Sequence, residues 1–157
     1  MQDKFMQIAV EEALKGIKKG HGGPFGAVIV KDGKVIAKAH NMVLKNKDPT
    51  AHAEITAIRK AAKKLKTFDL SGCEIYTTCQ PCPMCLSAIY WSRIKKVYYG
   101  CTDKDAESIG FDDKRIYEFI RNNPLENKGE IQFINISRED CLKPFEIWKN
   151  KKDKIMY

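Results

Sequence analysis

The chain lacks any apolar run near the length of a membrane-spanning helix. Its longer apolar runs, such as residues 25–30 with their glycine, fall far short of the ~20 residues that a span needs. The segment from Met1 to Phe5 also lacks the charged start and following apolar stretch of a secretory signal peptide. We therefore expect a cytoplasmic protein with no membrane association.

Internal repeats and low-complexity linkers are also missing. The 157 residues, of which 43% are hydrophobic, suit one globular domain with a single substantial core. Six cysteines are present, but without a signal segment we expect reduced thiols and metal ligation, not a disulfide framework. We predict a single domain over residues 1–157.

Acidic residues are in the minority, with 20 Asp and Glu against 28 Lys and Arg. A basic balance can attract nucleic acid. Here the basic residues are spread along the chain, few aromatic residues lie among them, and lysine far outnumbers arginine. We therefore favour a solvated lysine-rich surface over an RNA-binding face.

Periodicity and turn residues predict an α/β layered domain with a hairpin at Asp32-Gly33. Gly20 is expected to end the first helix, Thr50 to cap the second, and Pro83 to begin the third. The predicted helices cover residues 4–19, 51–65, 83–91, 116–121 and 138–149. The predicted strands cover residues 25–30, 34–43, 74–78, 95–99 and 131–136.

Two short motifs carry the chemistry of the chain. Residues 52–54 are His-Ala-Glu, and residues 81–85 are Pro-Cys-Pro-Met-Cys. His52, Cys82 and Cys85 supply one imidazole and two thiolates, and a zinc ion held by three protein groups keeps a fourth position for water, as in catalytic sites. The combined pattern, H-x-E followed by P-C-x-x-C, is typical of zinc-dependent nucleobase deaminases.

Glu54 is the predicted proton carrier of this site. Zinc lowers the pKa of bound water from ~15.7 toward ~7, which gives a nucleophile at neutral pH. Glu54 would take a proton from that water and pass it to a ring nitrogen and then to the leaving ammonia. The product carries a carbonyl where the substrate had an amino group.

Two other interpretations of the cysteines remain open at this point. Cys79 could complete a closed Cys₃His structural zinc site with His52, Cys82 and Cys85, and residues 79–82 also match a thiol redox pair. We favour catalytic zinc, because the prolines on both sides of Cys82 and the nearby glutamate are independent matches to the deaminase signature.

Segments along nearly the whole chain resemble the cytidine deaminase-like zinc deaminase superfamily, and within it bacterial guanine deaminases. They are residues 22–30, 48–54, 81–85, 88–91 and 110–113. The zinc motifs are common to the superfamily, so the last segment is the selective one. The resemblance implies a three-layer α/β/α sandwich around a five-stranded mixed sheet, and hydrolysis of guanine to xanthine and ammonia.

The same resemblance implies the substrate contacts and the assembly. Asn41, Phe25 and Asp113 would line a pocket for a small purine base. The protein would form a homodimer in which the C-terminal tail, about residues 150–157, is swapped into the partner subunit. Tyr157 would then close the partner's site.

Elementary chemistry favours guanine over adenine if Asp113 lies in the pocket. Guanine presents N1–H and its C2 amino group as adjacent donors, whereas a carboxylate only accepts. Two alternatives compete with these pocket roles: Phe25 could be a core residue, and Asp112 with Asp113 could cap the helix that follows.

Other functions stay open from the sequence alone. A transfer RNA adenosine deaminase shares the zinc motifs and would give the basic charge a purpose. A cytosine or cytidine deaminase is less favoured by residues 110–113. The alternative that is not an enzyme is a structural-zinc module that binds nucleic acid.

Overall fold

A computed structural model of the chain describes residues 3–122 and 131–156, which fall into two compact units, Met1–Lys114 and Arg115–Tyr157. The elements of the first unit are α1 (Asp3–Lys18), β1 (Gly26–Lys31), β2 (Lys34–His40), α2 (Val43–Asn46), α3 (Ala53–Leu65), β3 (Cys73–Cys79), α4 (Pro83–Trp91), β4 (Lys96–Cys101) and α5 (Asp103–Ser108). Helix α6 (Lys114–Arg121) begins at the boundary, and α7 (Arg138–Asn150) belongs to the second unit.

The strands of the first unit form one mixed sheet in the order β2-β1-β3-β4. Strand β1 pairs antiparallel with β2 and β3, whereas β3 and β4 are parallel. Helix α4 makes the crossover between the parallel pair, which such a connection requires. The turn from β1 to β2 places Asp32 and Gly33 at positive φ, as the predicted Asp-Gly hairpin demands.

Helices cover both faces of this sheet, which gives the expected three-layer α/β/α arrangement. Alternate residues of β1 face opposite sides. Ala27 and Ile29 belong to one buried cluster with the small residues of α3 and with Ile89 of α4. Val28 and Val30 belong to a second cluster with residues of α1 and with Tyr76. Gly26 allows α1 to approach closely, because an added Cβ there would lie 2.0 Å from the Ala9 carbonyl oxygen.

The sheet has four strands within the described residues, so the expected fifth strand is not found there. Residues 131–136 are predicted as a strand, but in the second unit they are exposed and outside any strand. A strand exists only through hydrogen bonds to a neighbouring strand, which sequence alternation cannot supply. Within the same unit, the rings of Phe119 and Phe133 lie 6.3 Å apart.

The predicted cap of the second helix is wrong by two residues. Helix α3 begins at Ala53 with His52 as its N-cap. The Thr50 hydroxyl and backbone N–H instead both donate to Oδ1 of Asp48, at 2.7 and 2.8 Å. A short-range turn thus takes the side chain that would otherwise cap the helix. None of the described helices has the length and apolar content that a membrane span requires.

Candidate active site

His52 and Cys82 occupy equivalent positions, since each immediately precedes a helix. His52 is the N-cap of α3 and Cys82 the N-cap of α4, both with extended backbone angles and neither with a side-chain capping bond. Pro83 follows at the start of α4, where its missing N–H removes no helical hydrogen bond. Both ligand side chains are therefore left unused by their own helices.

The His52 imidazole and the thiols of Cys82 and Cys85 form a compact cluster of donor atoms. Nδ1 of His52 lies 3.6 Å from Sγ of Cys82 and 3.5 Å from Sγ of Cys85, and all three atoms lie within 4.8 Å of one another. A nitrogen and a sulfur bound to one tetrahedral zinc, at about 2.0 and 2.3 Å, are separated by about 3.5 Å. The donor set therefore fits zinc, and the described residues contain no second group of this kind.

Hydrogen bonds inside the cluster favour ionisation of one thiol. The hydrogen bond from Cys85 lowers the pKa of the Cys82 thiol to about 4, and the same bond raises the pKa of Cys85. The bond to Cys82 also raises the pKa of His52. Metal ligation needs thiolates and a neutral imidazole, so a cation that binds here releases protons.

Glu54 lies beside the cluster in the first turn of α3 and is only 6% exposed. Its Oε1 accepts a hydrogen bond from the Thr77 hydroxyl at 3.2 Å, and its Oε2 lies 3.4 Å from Sγ of Cys85. Burial raises the pKa of the Glu54 carboxyl. Side chains two residues apart within a helix diverge. His52, however, lies before the helix, so the His52 imidazole and the Glu54 carboxyl both reach Sγ of Cys85.

Cys79 takes a partner outside the donor cluster. Its thiol donates to the Thr102 carbonyl oxygen at 3.5 Å, and burial raises the pKa of this thiol to about 11. Cys79 and Cys82 are both free cysteines. The donor cluster leaves out Cys79, so the closed Cys₃His site is not formed in this arrangement.

We expect Cys79→Ser to retain both zinc and turnover, because a serine hydroxyl can donate the same hydrogen bond to Thr102. Metal content and ammonia release should be measured on one preparation. Cys85→Ser is the matched control and should lose zinc, since serine is a poor zinc ligand beside thiolates. Loss of zinc from the Cys79 variant would instead support a site with four protein ligands.

A cavity of about 390 Å³ opens beside Glu54 and the donor cluster. This volume lies within the usual range of small-molecule sites. The predicted pocket residues Phe25, Asn41 and Asp113 all line it. Its other lining residues are Gly22, Gly23, Val43, Leu44, Pro49, His52, Glu54, Cys79, Gln80, Cys82 and Phe111.

Asn41 is held so that its amide nitrogen is the group left for a ligand. The side chain is almost fully buried, and its Oδ1 accepts a hydrogen bond from the Val43 N–H at 3.1 Å. Because a backbone N–H can only donate, this bond fixes which amide atom is the oxygen. Gly22 leaves room for this oxygen, since an added Cβ would lie 2.0 Å from it.

The two neighbouring aspartates have separate roles in the structure. Oδ1 of Asp112 accepts a hydrogen bond from the Lys114 N–H at 3.0 Å, at the start of α6. Asp113 lines the cavity, and burial raises the pKa of its carboxyl. Helix capping and a pocket position were alternatives for this pair; Asp112 bonds to the start of α6, and Asp113 lies at the cavity.

Phe25 combines a place in the pocket with packing on the core. It packs against the buried cluster between the sheet and α3, and its ring lies 5.0 Å from that of Phe111 at an angle of 84°. The sequence did not single out Phe111 or the Thr77 partner of Glu54, although Phe111 lies inside the selective segment 110–113. Tyr157, the predicted closing aromatic, lies outside the described residues.

Comparison with known proteins places this site in a family. Residues 1–101 match the cytidine and deoxycytidylate deaminase zinc-binding region. The chain is 49% identical to guanine deaminase of Bacillus subtilis strain 168 over 155 residues, which cover 99% of this chain and 98% of that one. It is 48% identical to the tRNA-specific adenosine deaminase of Aquifex aeolicus strain VF5 over 103 residues, which cover 66% of this chain and 68% of that one.

A solved structure agrees with this assignment over the full length. The crystal structure of guanine deaminase from Bacillus subtilis has a TM-score of 0.94 and 48% identity, and the match covers 100% of this chain and 99% of that one. This likeness confirms the expected cytidine deaminase-like fold. The sequence match, the fold and the His-Cys-Cys cluster agree, and the chain belongs to the cytidine and deoxycytidylate deaminase family of zinc-dependent deaminases.

Proposed function

We propose that the protein hydrolyses guanine to xanthine and ammonia with zinc as its cofactor. The observation that carries the proposal is that Asp113 lines the same cavity as Glu54 and the metal-binding residues. Guanine presents two adjacent donors, N1–H and the C2 amino group, to an acceptor-only carboxylate, whereas adenine would present a lone pair at N1. Full-length similarity to a guanine deaminase supports the same substrate.

His52, Cys82 and Cys85 would hold the zinc ion. When bound, zinc supplies an activated water, because it lowers the pKa of that water toward about 7. The two thiolates would balance the charge of the ion, and the three residues lie at helix starts that hold their backbone in place.

Glu54 would move the protons of the reaction. It would take one proton from the attacking water and deliver it to a ring nitrogen as the C2–O bond forms. It would then take the remaining proton from that oxygen and deliver it to the amino group as the C2–N bond breaks, so that ammonia leaves and C2 keeps a carbonyl oxygen. The carboxyl ends in the state in which it began. The Thr77 hydroxyl at 3.2 Å holds one carboxyl oxygen during this cycle.

Asn41, Phe25 and Asp113 would orient the purine. The Asn41 amide nitrogen suits an acceptor atom of the base, and Asp113 suits its donor edge. Phe25, with Phe111 packed against it, offers an aromatic surface to the ring. Together these groups would hold C2 close to Glu54.

Deamination of adenosine in transfer RNA is the second candidate. The similarity to an Aquifex aeolicus tRNA-specific adenosine deaminase over 103 residues and the formal net charge of +8 favour it. The acceptor-only Asp113 in the pocket disfavours it.

We further propose that residues 1–157 act as a single domain in a cytoplasmic homodimer, with the tail near residues 150–157 swapped and Tyr157 closing the partner's site. The support is the exposure of large apolar side chains in the second unit, which commonly marks a surface covered by another chain. These side chains include Phe145, Ile147, Ile155 and Met156.

A substrate panel on one purified preparation tests the proposal. Ammonia release should be measured with guanine, adenine, cytosine, cytidine and transfer RNA, with zinc content determined alongside. We expect turnover of guanine that requires bound zinc, and little or none of the others. Turnover of transfer RNA without turnover of guanine would select the second candidate.

A further inference from the structure

Three ionisable side chains form a hydrogen-bonded chain that adjoins the cavity but does not line it. Nδ1 of His40, at the end of β2, lies 3.0 Å from Oε2 of Glu12 on α1. Nε2 of His40 lies 2.9 Å from Nδ1 of His21, in the loop that follows α1. Glu12 is 5% exposed and His40 is 8% exposed.

The charges around Glu12 fix the direction of the hydrogen bond between Glu12 and His40. Burial acts to raise the pKa of the Glu12 carboxyl, but the bond from His40 and the ammonium groups of Lys15 and Lys38, each 3.6 Å away, lower it on balance. A carboxylate only accepts, so Nδ1 of His40 carries a hydrogen. Nε2 of His40 and Nδ1 of His21 share the second hydrogen bond, in which one ring nitrogen donates and the other accepts.

The hydrogen-bonded side chains Glu12, His40 and His21 join two segments that line the cavity. The His21 carbonyl oxygen accepts hydrogen bonds from the N–H groups of Leu44 and Lys45, at 3.0 and 3.1 Å. His40 directly precedes Asn41, whose side chain lines the cavity. The three residues therefore link the loop after α1 to the segment that carries Asn41 and Leu44.

The loop after α1 needs such an anchor because it has few side chains of its own. Gly20, Gly22 and Gly23 surround His21, and glycine leaves the backbone with the greatest conformational freedom. Gly16 of helix α1 also leaves room for the His40 ring, since an added Cβ there would lie 2.8 Å from that ring.

Packed apolar side chains in place of Glu12, His40 and His21 would stabilise the fold at least as well. Buried charges are costly to desolvate, and replacement by packed apolar groups is often neutral or stabilising. A fully bonded polar chain instead specifies one geometry. The geometry that it specifies here is that of Asn41 and the glycine loop.

We propose that Glu12, His40 and His21 are positioning residues for purine binding, which fix the Asn41 amide and the glycine loop against each other. The inference rests on the proposed function, because it assigns Asn41 to the base. Glu54 and the metal ligands belong to α3, α4 and their N-caps. Loss of the hydrogen-bonded chain should therefore weaken base binding far more than it slows the chemical step.

The sharpest test is His21→Ala compared with His21→Asn. The asparagine amide, which can donate or accept, can take the place of Nδ1 in the bond to His40, whereas alanine cannot. We expect His21→Ala to raise KM for guanine about tenfold with kcat within about twofold, and His21→Asn to restore most of the loss. Glu11→Ala, an exposed glutamate next to Glu12, is the matched control and should leave KM unchanged.

A readout without substrate separates this inference from the guanine assignment. In the zinc-loaded protein, the side-chain amide NMR signals of Asn41, assigned with Asn41→Asp, should shift in His21→Ala and return in His21→Asn. If the wild type does not turn over guanine, the proposed function fails while this measurement still tests the positioning. Unmoved Asn41 signals, or a lowered Tm in His21→Ala with KM and kcat unchanged, would overturn the inference.

Discussion

Glu54→Gln should lose at least ~10²-fold in kcat on guanine while it keeps its zinc, since general acid–base groups contribute about 10²–10⁴. Glutamine has nearly the same shape, and its oxygen can still accept the Thr77 hydrogen bond that Glu54 accepts at 3.2 Å. It cannot take up a proton from water and return it. None of the three metal ligands is changed by the substitution.

Metal content and single-turnover ammonia release on the same sample measure this effect. Glu107→Gln, which changes an exposed glutamate of α5, is the matched control and should behave as the wild type. Full activity in the Glu54 variant would remove the proton-transfer role. Loss of zinc together with activity would show that Glu54 supports the metal site instead.

Asp113→Ala should reduce kcat/KM for guanine by about 10²-fold or more, because a site built to bind two donors leaves them unpaired when its acceptor is removed. Asp112→Ala, which removes the neighbouring carboxylate, is the matched control. Asp112 caps the start of α6 through the Lys114 N–H, so its loss should cost about 1 kcal/mol of stability and little turnover.

Kinetics on guanine and thermal denaturation of both variants separate the two aspartates. The Asp113 variant is expected to lose turnover with a nearly unchanged Tm. The Asp112 variant is expected to show a small fall in Tm with nearly unchanged kcat/KM. Unchanged guanine kinetics in the Asp113 variant would remove this residue from the substrate pocket.

The metal centre was the most predictable part of the molecule. Its residues lie in two short segments, and the N-cap position of Cys82 is a local feature that Pro83 indicates, whereas the N-cap position of His52 was missed. Helix α4 has the bounds Pro83–Trp91 that were predicted, because Pro83 fixes its first residue. Features that depend only on adjacent residues can be predicted from the sequence.

Contacts between distant segments were not predictable by the same means. Thr77 reaches Glu54 across 23 positions of the chain, and Glu12 reaches His40 across 28. Periodicity indicates which face of an element is buried, but not which polar side chain of another element it meets. The Thr50 cap failed for a different and local reason, since Asp48, two residues earlier, accepts the hydrogen bond of the same hydroxyl.

The candidate substrate contacts were predicted only from the resemblance to known deaminases. Nothing in the spacing of Phe25, Asn41 and Asp113 indicates that they meet, and the structure brings all three to one cavity. The structure also shows which atom of the Asn41 amide is free, which the sequence alone does not indicate. Oδ1 of Asn41 is already engaged by Val43, so only the amide N–H groups of this residue are left as donors for a ligand.

The sheet separates the helices that carry the zinc-binding residues from the helix that carries Glu12. Helices α3 and α4 pack on the face that includes Ile29, whereas α1, which carries Glu12, packs on the face that includes Val28. We therefore expect substitutions on the α1 side to leave the zinc-binding residues in place, because those residues lie at the starts of helices on the opposite face of the sheet.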